Sequence, residues 1–93
     1  MGNVRKGRDI DVGLCDAGFV REIDGDHIRY VLPGTDLRTK ISHGMKGHDV
    51  GRELIGLMAQ QLHLTKRQFL ALIDGEISED EYREILRKEG VIS

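Results

Sequence analysis

Three short extended runs, separated by two turn dipeptides, constrain this chain more than anything else in it. Phe19 to Ile23, His27 to Leu32 and Leu37 to Ser42 read as strands. Asp24-Gly25 between the first two is a hairpin signal. Pro33-Gly34 between the second and third is another turn. In the second run Ile28, Tyr30 and Leu32 fall on one face and His27, Arg29 and Val31 on the other. In the third, Leu37, Thr39 and Ile41 oppose Arg38, Lys40 and Ser42. The economical arrangement buries Ile28, Tyr30, Leu32, Leu37 and Ile41 against helices.

Those helices are legible on both sides of the strands. Ile10, Leu14 and Ala17 share a stripe, which predicts a short helix over 9–17 with Gly18 at a left-handed C′ position. Gly13 inside it is expected to weaken it by about 1 kcal/mol against alanine. Residues 1–8, with Gly2 and Gly7, read as a frayed start. After the strands, residues 43–48 (His-Gly-Met-Lys-Gly-His) read as a loop. Val50, Leu54, Leu57, Met58 and Leu62 then repeat at helical spacing and predict the main amphipathic helix over 49–62. Thr65-x-x-Gln68 and Ser78-x-x-Glu81 are capping boxes, with Leu64/Phe69 and Ile77/Tyr82 as their hydrophobic staples. The expected order is α-β-β-β-α-α-α. The fold class is α+β: a three-stranded antiparallel sheet with helices on one face, plus two C-terminal helices.

A length of 93 residues supports one core of useful size, so 1–93 reads as a single domain. Its core is expected over about 9–73, with an acidic helical extension over 74–93. No run approaches the length of a membrane-spanning helix. The start, Met1-Gly2-Asn3-Val4-Arg5-Lys6, lacks the apolar stretch of a signal peptide. Lys6 stands where a myristoylation motif needs Ser or Thr. The single cysteine, Cys15, excludes an intrachain disulfide and a cysteine-based zinc cage, and reads as a small buried apolar residue. These features point to a cytoplasmic protein with no membrane partner.

The net charge of −2 hides an asymmetry. Residues 29–52 hold five basic groups (Arg29, Arg38, Lys40, Lys46, Arg52) against two acids, and also His43 and His48. Residues 74–93 hold seven acids and three bases. Such a basic zone can bind a polyanion, and such a tail can repel one. The same counts also describe ordinary solvated surface.

The outward strand face sharpens the first reading. It gathers His27, Arg29, Arg38 and Lys40, with His43 at its edge. Guanidinium and ammonium groups suit phosphates. RNA cleavage by internal transfer needs a base for the 2′-OH proton and an acid for the 5′ leaving oxygen, and histidine serves either role near neutral pH. Polar exposed strand faces are common, so a plain solvated face fits the same pattern. Other candidates are weaker. His43-x4-His48 has no third ligand spaced with it for a metal. His63 reads as a residue at a helix C-terminus interacting with the dipole. The glycine-containing loop before the main helix matches no phosphate-binding P-loop.

Cys15-Asp16-Ala17-Gly18-Phe19, Gly25-Asp26-His27, Arg38 to Gly44 (Arg-Thr-Lys-Ile-Ser-His-Gly) and Leu64-Thr65-Lys66-Arg67-Gln68-Phe69 occur here in an order that resembles the HicA (YcfA-like) toxins of toxin–antitoxin systems. The resemblance covers roughly residues 9–73. It implies an α-β-β-β-α fold like a double-stranded-RNA-binding domain (dsRBD-like). It implies mRNA binding and endonuclease cleavage without a metal or other cofactor, with the turn histidine catalytic. That role falls on His27. It also implies a HicB-like antitoxin as protein partner. Asp26 replaces the usual Ser of the turn, and Ile28 stands where many members have a second histidine. His43 is therefore the expected second group, and Arg29, Arg38, Lys40 and Lys46 the expected RNA contacts. Two alternatives stand beside this: a non-catalytic RNA-binding module, and a protein-interaction domain acting through the C-terminal helices.

Overall fold

A computed structural model of the chain describes residues 4–92, with every side chain in that range except that of Lys46. Its architecture follows from the two turns. β2 (Val20–Asp24), β3 (His27–Val31) and β4 (Arg38–Ser42) form an antiparallel meander in that spatial order. The β2–β3 loop has two residues, and Gly25 takes a φ of 61° at the first. A type II′ turn, whose twist matches the strands it joins, reserves that place for glycine. At the β3–β4 turn the Thr35 N–H donates to the Leu32 carbonyl at 3.2 Å, and Gly34 has φ 80° after Pro33. These are the residues a type II turn demands at its two central positions. The short loops fix register: Asp24 pairs with His27, and His27 with Ser42.

β1 (Arg5–Lys6) precedes α1 (Gly7–Asp16). β4 runs into a 3-10 turn (His43–Gly47), then β5 (Asp49–Val50), α2 (Arg52–Gln61), α3 (Lys66–Ile73) and α4 (Glu79–Lys88). Both capping boxes form. The Thr65 hydroxyl accepts from the Gln68 N–H, and the Ser78 hydroxyl from the Glu81 N–H, each at 3.1 Å, with the Gln68 and Glu81 side chains reaching back. The fold is α+β, with the three-stranded antiparallel sheet and its helices as expected. No helix among the described residues is long and apolar enough to cross a membrane.

One sheet face is closed and the other open. Ile28, Tyr30, Thr39 and Ile41 are buried, together with Leu32 and Leu37 beyond the strand ends. They join Ile10 and Leu14 of α1, Ile55, Met58 and Leu62 at α2, and Phe69 and Leu72 of α3 in one core. Tyr82 and Leu86 of α4 are completely buried in it. The Tyr82 ring stacks on Phe19 at 5.9 Å, and its hydroxyl donates to the Leu62 carbonyl at 2.9 Å. The acidic extension therefore packs on the sheet domain.

Several expectations need correction. Residues 5 and 6 are not frayed. They pair with Asp49 and Val50 in a small second sheet, and Arg5 grips both carboxylate oxygens of Asp74 at 2.8 and 2.6 Å. Residues 1–3 lie outside the described range. The main helix starts at Arg52 and not at 49, because Asp49 and Val50 are used in that pairing. Leu57 stays 50% exposed on the outer side of α2. Cys15 is exposed, since it faces away from the Ile10/Leu14 stripe. Gly13 is no helix defect: a Cβ there would sit 2.5 Å from the Ile73 carbonyl oxygen. It is the point where α1 and α3 approach closely.

Candidate nucleic-acid interface

The open sheet face carries, strand by strand, Val20, Glu22 and Asp24; His27, Arg29 and Val31; Arg38, Lys40 and Ser42. Direct cross-strand partners share a face, and the register places these residues opposite one another in rows. His27 lies between Asp24 on β2 and Ser42 on β4. Arg29 lies between Glu22 and Lys40. Val31 lies between Val20 and Arg38.

This arrangement changes the expected picture of a histidine among three cations. Arg29 is occupied: it hydrogen-bonds Asp24 and lies 3.8 Å from Glu22. Because all three groups are substantially exposed, the network adds little stability. Its effect is on charge, since it neutralises the middle of the face. Arg38 and Lys40 on the edge strand β4 pair with no carboxylate among the described residues. The face thus grades from carboxylates on β2 to unpaired cations on β4. The β2 acids belong to the site and were overlooked in the sequence. A two-residue hairpin turn after Asp24 already implies that Asp24 opposes His27.

His27 and His43 come to the same end of the sheet. His43 follows Ser42, the cross-strand partner of His27, and its backbone N–H donates to the Asp26 carbonyl at 2.6 Å. That bond ties the start of the 3-10 turn to the β2–β3 turn. Both histidines are exposed. Arg38, in contrast, pairs with Val31, four residues along β3 from the row of His27, or roughly 13 Å at strand rise. Lys40 is the nearer cation, diagonal to His27 across the β3–β4 ladder. Lys46 lies on the 3-10 turn, and its side chain is outside the described residues.

A shallow depression of about 380 Å³ is lined by Asp24, His27, Arg29, Arg38, Lys40, Thr39 and Gln61. Thr39 and Gln61 enter from the β4 edge, where the Thr39 hydroxyl donates to the Gln61 side-chain oxygen at 2.7 Å. The depression therefore wraps from the open face around β4 to the end of α2. Beneath the sheet, Tyr30 and Arg21 both donate to the buried carboxylate of Asp11, at 2.6 and 2.7 Å. Burial first, and then the hydrogen bond to Asp11, pushes the Tyr30 hydroxyl far up, so it stays a neutral donor. This ties β2 and β3 to α1 beneath the sheet.

His63 stands just past the C-terminus of α2, as expected. It is a non-glycine residue with φ 60° at the end of α2, and it lines a second depression described below. Among the described residues, no group of three His, Cys, Asp or Glu side chains is placed to hold a metal ion. No protein-family model, no curated protein and no solved structure matches the chain.

Proposed function

We propose that the chain binds RNA on its open sheet face and cleaves it by internal transfer, as a HicA-like endoribonuclease would. The observation that carries this reading is that exposed His27 and His43 come to the same end of the sheet, one residue apart across the β3–β4 ladder, with the cations of β4 on the strand beside them. Lys40 and Arg38 attract the phosphate backbone. One histidine takes the 2′-OH proton as that oxygen attacks phosphorus. The other gives a proton to the 5′ oxygen as the P–O5′ bond breaks. The products are a 2′,3′-cyclic phosphate and a 5′-hydroxyl, and no metal enters the proton accounting. His27 and His43 divide the acid and base roles between them. The resemblance in sequence adds mRNA as substrate, a HicB-like antitoxin as partner and a cytoplasmic setting to the same reading.

A second reading rests on one specific observation. Glu22 and Asp24 neutralise Arg29 and place negative charge beside the point where a scissile phosphate would lie. That arrangement suits a module that binds RNA along β4 without cutting it. The scarcity of aromatic residues excludes a stacking platform for single strands but not backbone recognition. Purified protein incubated with RNA in chelator separates the two. Under the first reading His27→Ala abolishes cleavage and leaves affinity nearly intact. Under the second, the wild type binds without cutting, and only Arg38→Gln or Lys40→Gln weakens the complex.

A further inference from the structure

A larger depression, of about 1030 Å³, opens on the far side of Arg38 from His27. It lies between the β3–β4 turn, the end of α2 and the outer side of α4. Arg38 and Gln61 line both this depression and the one at His27, so the two adjoin at the β4 edge. Arg83 and Arg87 of α4 line the new stretch together with His63, and Asp36 is the one carboxylate among its lining residues.

The charge of α4 is sorted. Glu79, Asp80 and Glu81 occupy its first turn, while Arg83 and Arg87 stand one helical turn apart on the groove side. Arg83 is held by Glu79 at 3.1 Å and reaches the Pro33 carbonyl at 3.5 Å. Arg87 meets Glu84 at 3.2 Å. Each guanidinium has five N–H donors, so further donors remain on both arginines, while Glu79 and Glu84 offset their charge as Glu22 and Asp24 offset that of Arg29. Among the described residues Arg38 has no ion pair to give up.

We propose that this groove binds the phosphate backbone of the same RNA strand that reaches His27, with α4 as its basic wall. The inference rests on the RNA reading of the sheet face. It assigns the acidic extension a binding role through its two arginines. The adjacency of the two depressions at Arg38 and Gln61 favours a strand running across both over an acidic peptide confined to one.

The test is the anisotropy of labelled single-stranded RNA of about twelve nucleotides, titrated with the full chain at several salt concentrations. Arg83→Gln combined with Arg87→Gln is expected to weaken binding about tenfold and to reduce the log–log salt slope by about 1.4, or about 0.7 per lost phosphate contact. Arg87→Gln alone, which disturbs only a contact within its own helix, is expected to reduce the slope by about 0.7. Glu84→Gln releases Arg87 and is expected to tighten binding, a gain that misfolding does not produce. Unchanged affinity and slope in the double variant, with wild-type binding still lost on Arg38→Gln, overturns the groove and leaves the sheet-face reading standing. Absence of salt-dependent RNA binding by the wild type overturns both. Retained RNA affinity with lost affinity for a polyglutamate peptide makes the groove a protein-docking surface and overturns the inference.

Discussion

Gly13 shows how a single residue sets the distance between two helices. Alanine there gains about 1 kcal/mol in helix propensity. Its Cβ, however, would stand 2.5 Å from the Ile73 carbonyl oxygen and 2.8 Å from the Ile73 Cα, both backbone atoms that cannot swing aside. Overpacking of this kind costs roughly 1–3 kcal/mol. Gly13→Ala is therefore expected to destabilise the fold by up to about 2 kcal/mol net, read as a lower urea midpoint; a higher midpoint would mean that α1 and α3 do not approach this closely. Asp74 makes a second residue-scale case. The bidentate Arg5 guanidinium holds its carboxyl below the usual range, with Arg5 charge adding to the hydrogen bond and partial burial opposing both. A lowered folded pKa gives stability that is complete above the unfolded value of about 3.9 and lost as pH falls through the folded one. Asp74→Asn should thus melt below the wild type at pH 7, with the gap closing as the solution is acidified past the unfolded carboxylate value and on through the lower folded one. A gap that persists unchanged in acid would remove the ion pair from the account.

At the scale of elements, all four helices end in the same way, with a left-handed residue and a return bond from the residue after it. The Phe19 N–H donates to the Leu14 carbonyl, Leu64 to Ala59, Glu76 to Ala71 and Val91 to Leu86. This is the Schellman arrangement. Gly18, Gly75 and Gly90 fill the left-handed place in three of them, and His63 fills it at the end of α2. A side chain there costs roughly 1–2 kcal/mol, partly offset because glycine gives the unfolded chain more freedom. His63→Gly is accordingly expected to raise stability by about 0.5–1 kcal/mol, seen as a higher melting temperature. A lower one would show that the imidazole makes contacts worth more than the strain. The same comparison explains what could be read in advance. Capping boxes, hairpin turns and the glycine after α1 are local codes, and they placed the strands and the last two helices within a residue or two. The pairing of Arg5–Lys6 with Asp49–Val50 has no local code, because its two short strands are far apart in the chain. The burial of Cys15 was misjudged for a related reason: α1 is amphipathic, and the stripe through Ile10 and Leu14 leaves it on the outside.

Across the whole molecule, the distribution of charge matters more than its sum. Asp24 lines the depression at His27 and Asp36 the one at α4, and the cations of β4 and α4 line the two beside them. Strand alternation was enough to place His27, Arg29, Arg38 and Lys40 on one open face. It did not reveal that Arg29 is neutralised, because that depends on pairing with β2. Nor did it reveal the α4 groove, because Arg83 and Arg87 join Arg38 only when Tyr82 and Leu86 seat the helix in the core. A polyanion crossing this surface would meet its cations along the β4 edge and its two histidines at one end. The account stands on the chemistry at that end. The most direct test is to incubate purified wild type and His27→Ala with RNA in chelator and to identify the new ends. The expected result is 2′,3′-cyclic phosphate ends from the wild type, a loss of about 10²–10⁴-fold in rate for His27→Ala, and affinity nearly unchanged. Cleavage at equal rates by both proteins, or tight binding by the wild type with no new ends, would contradict it.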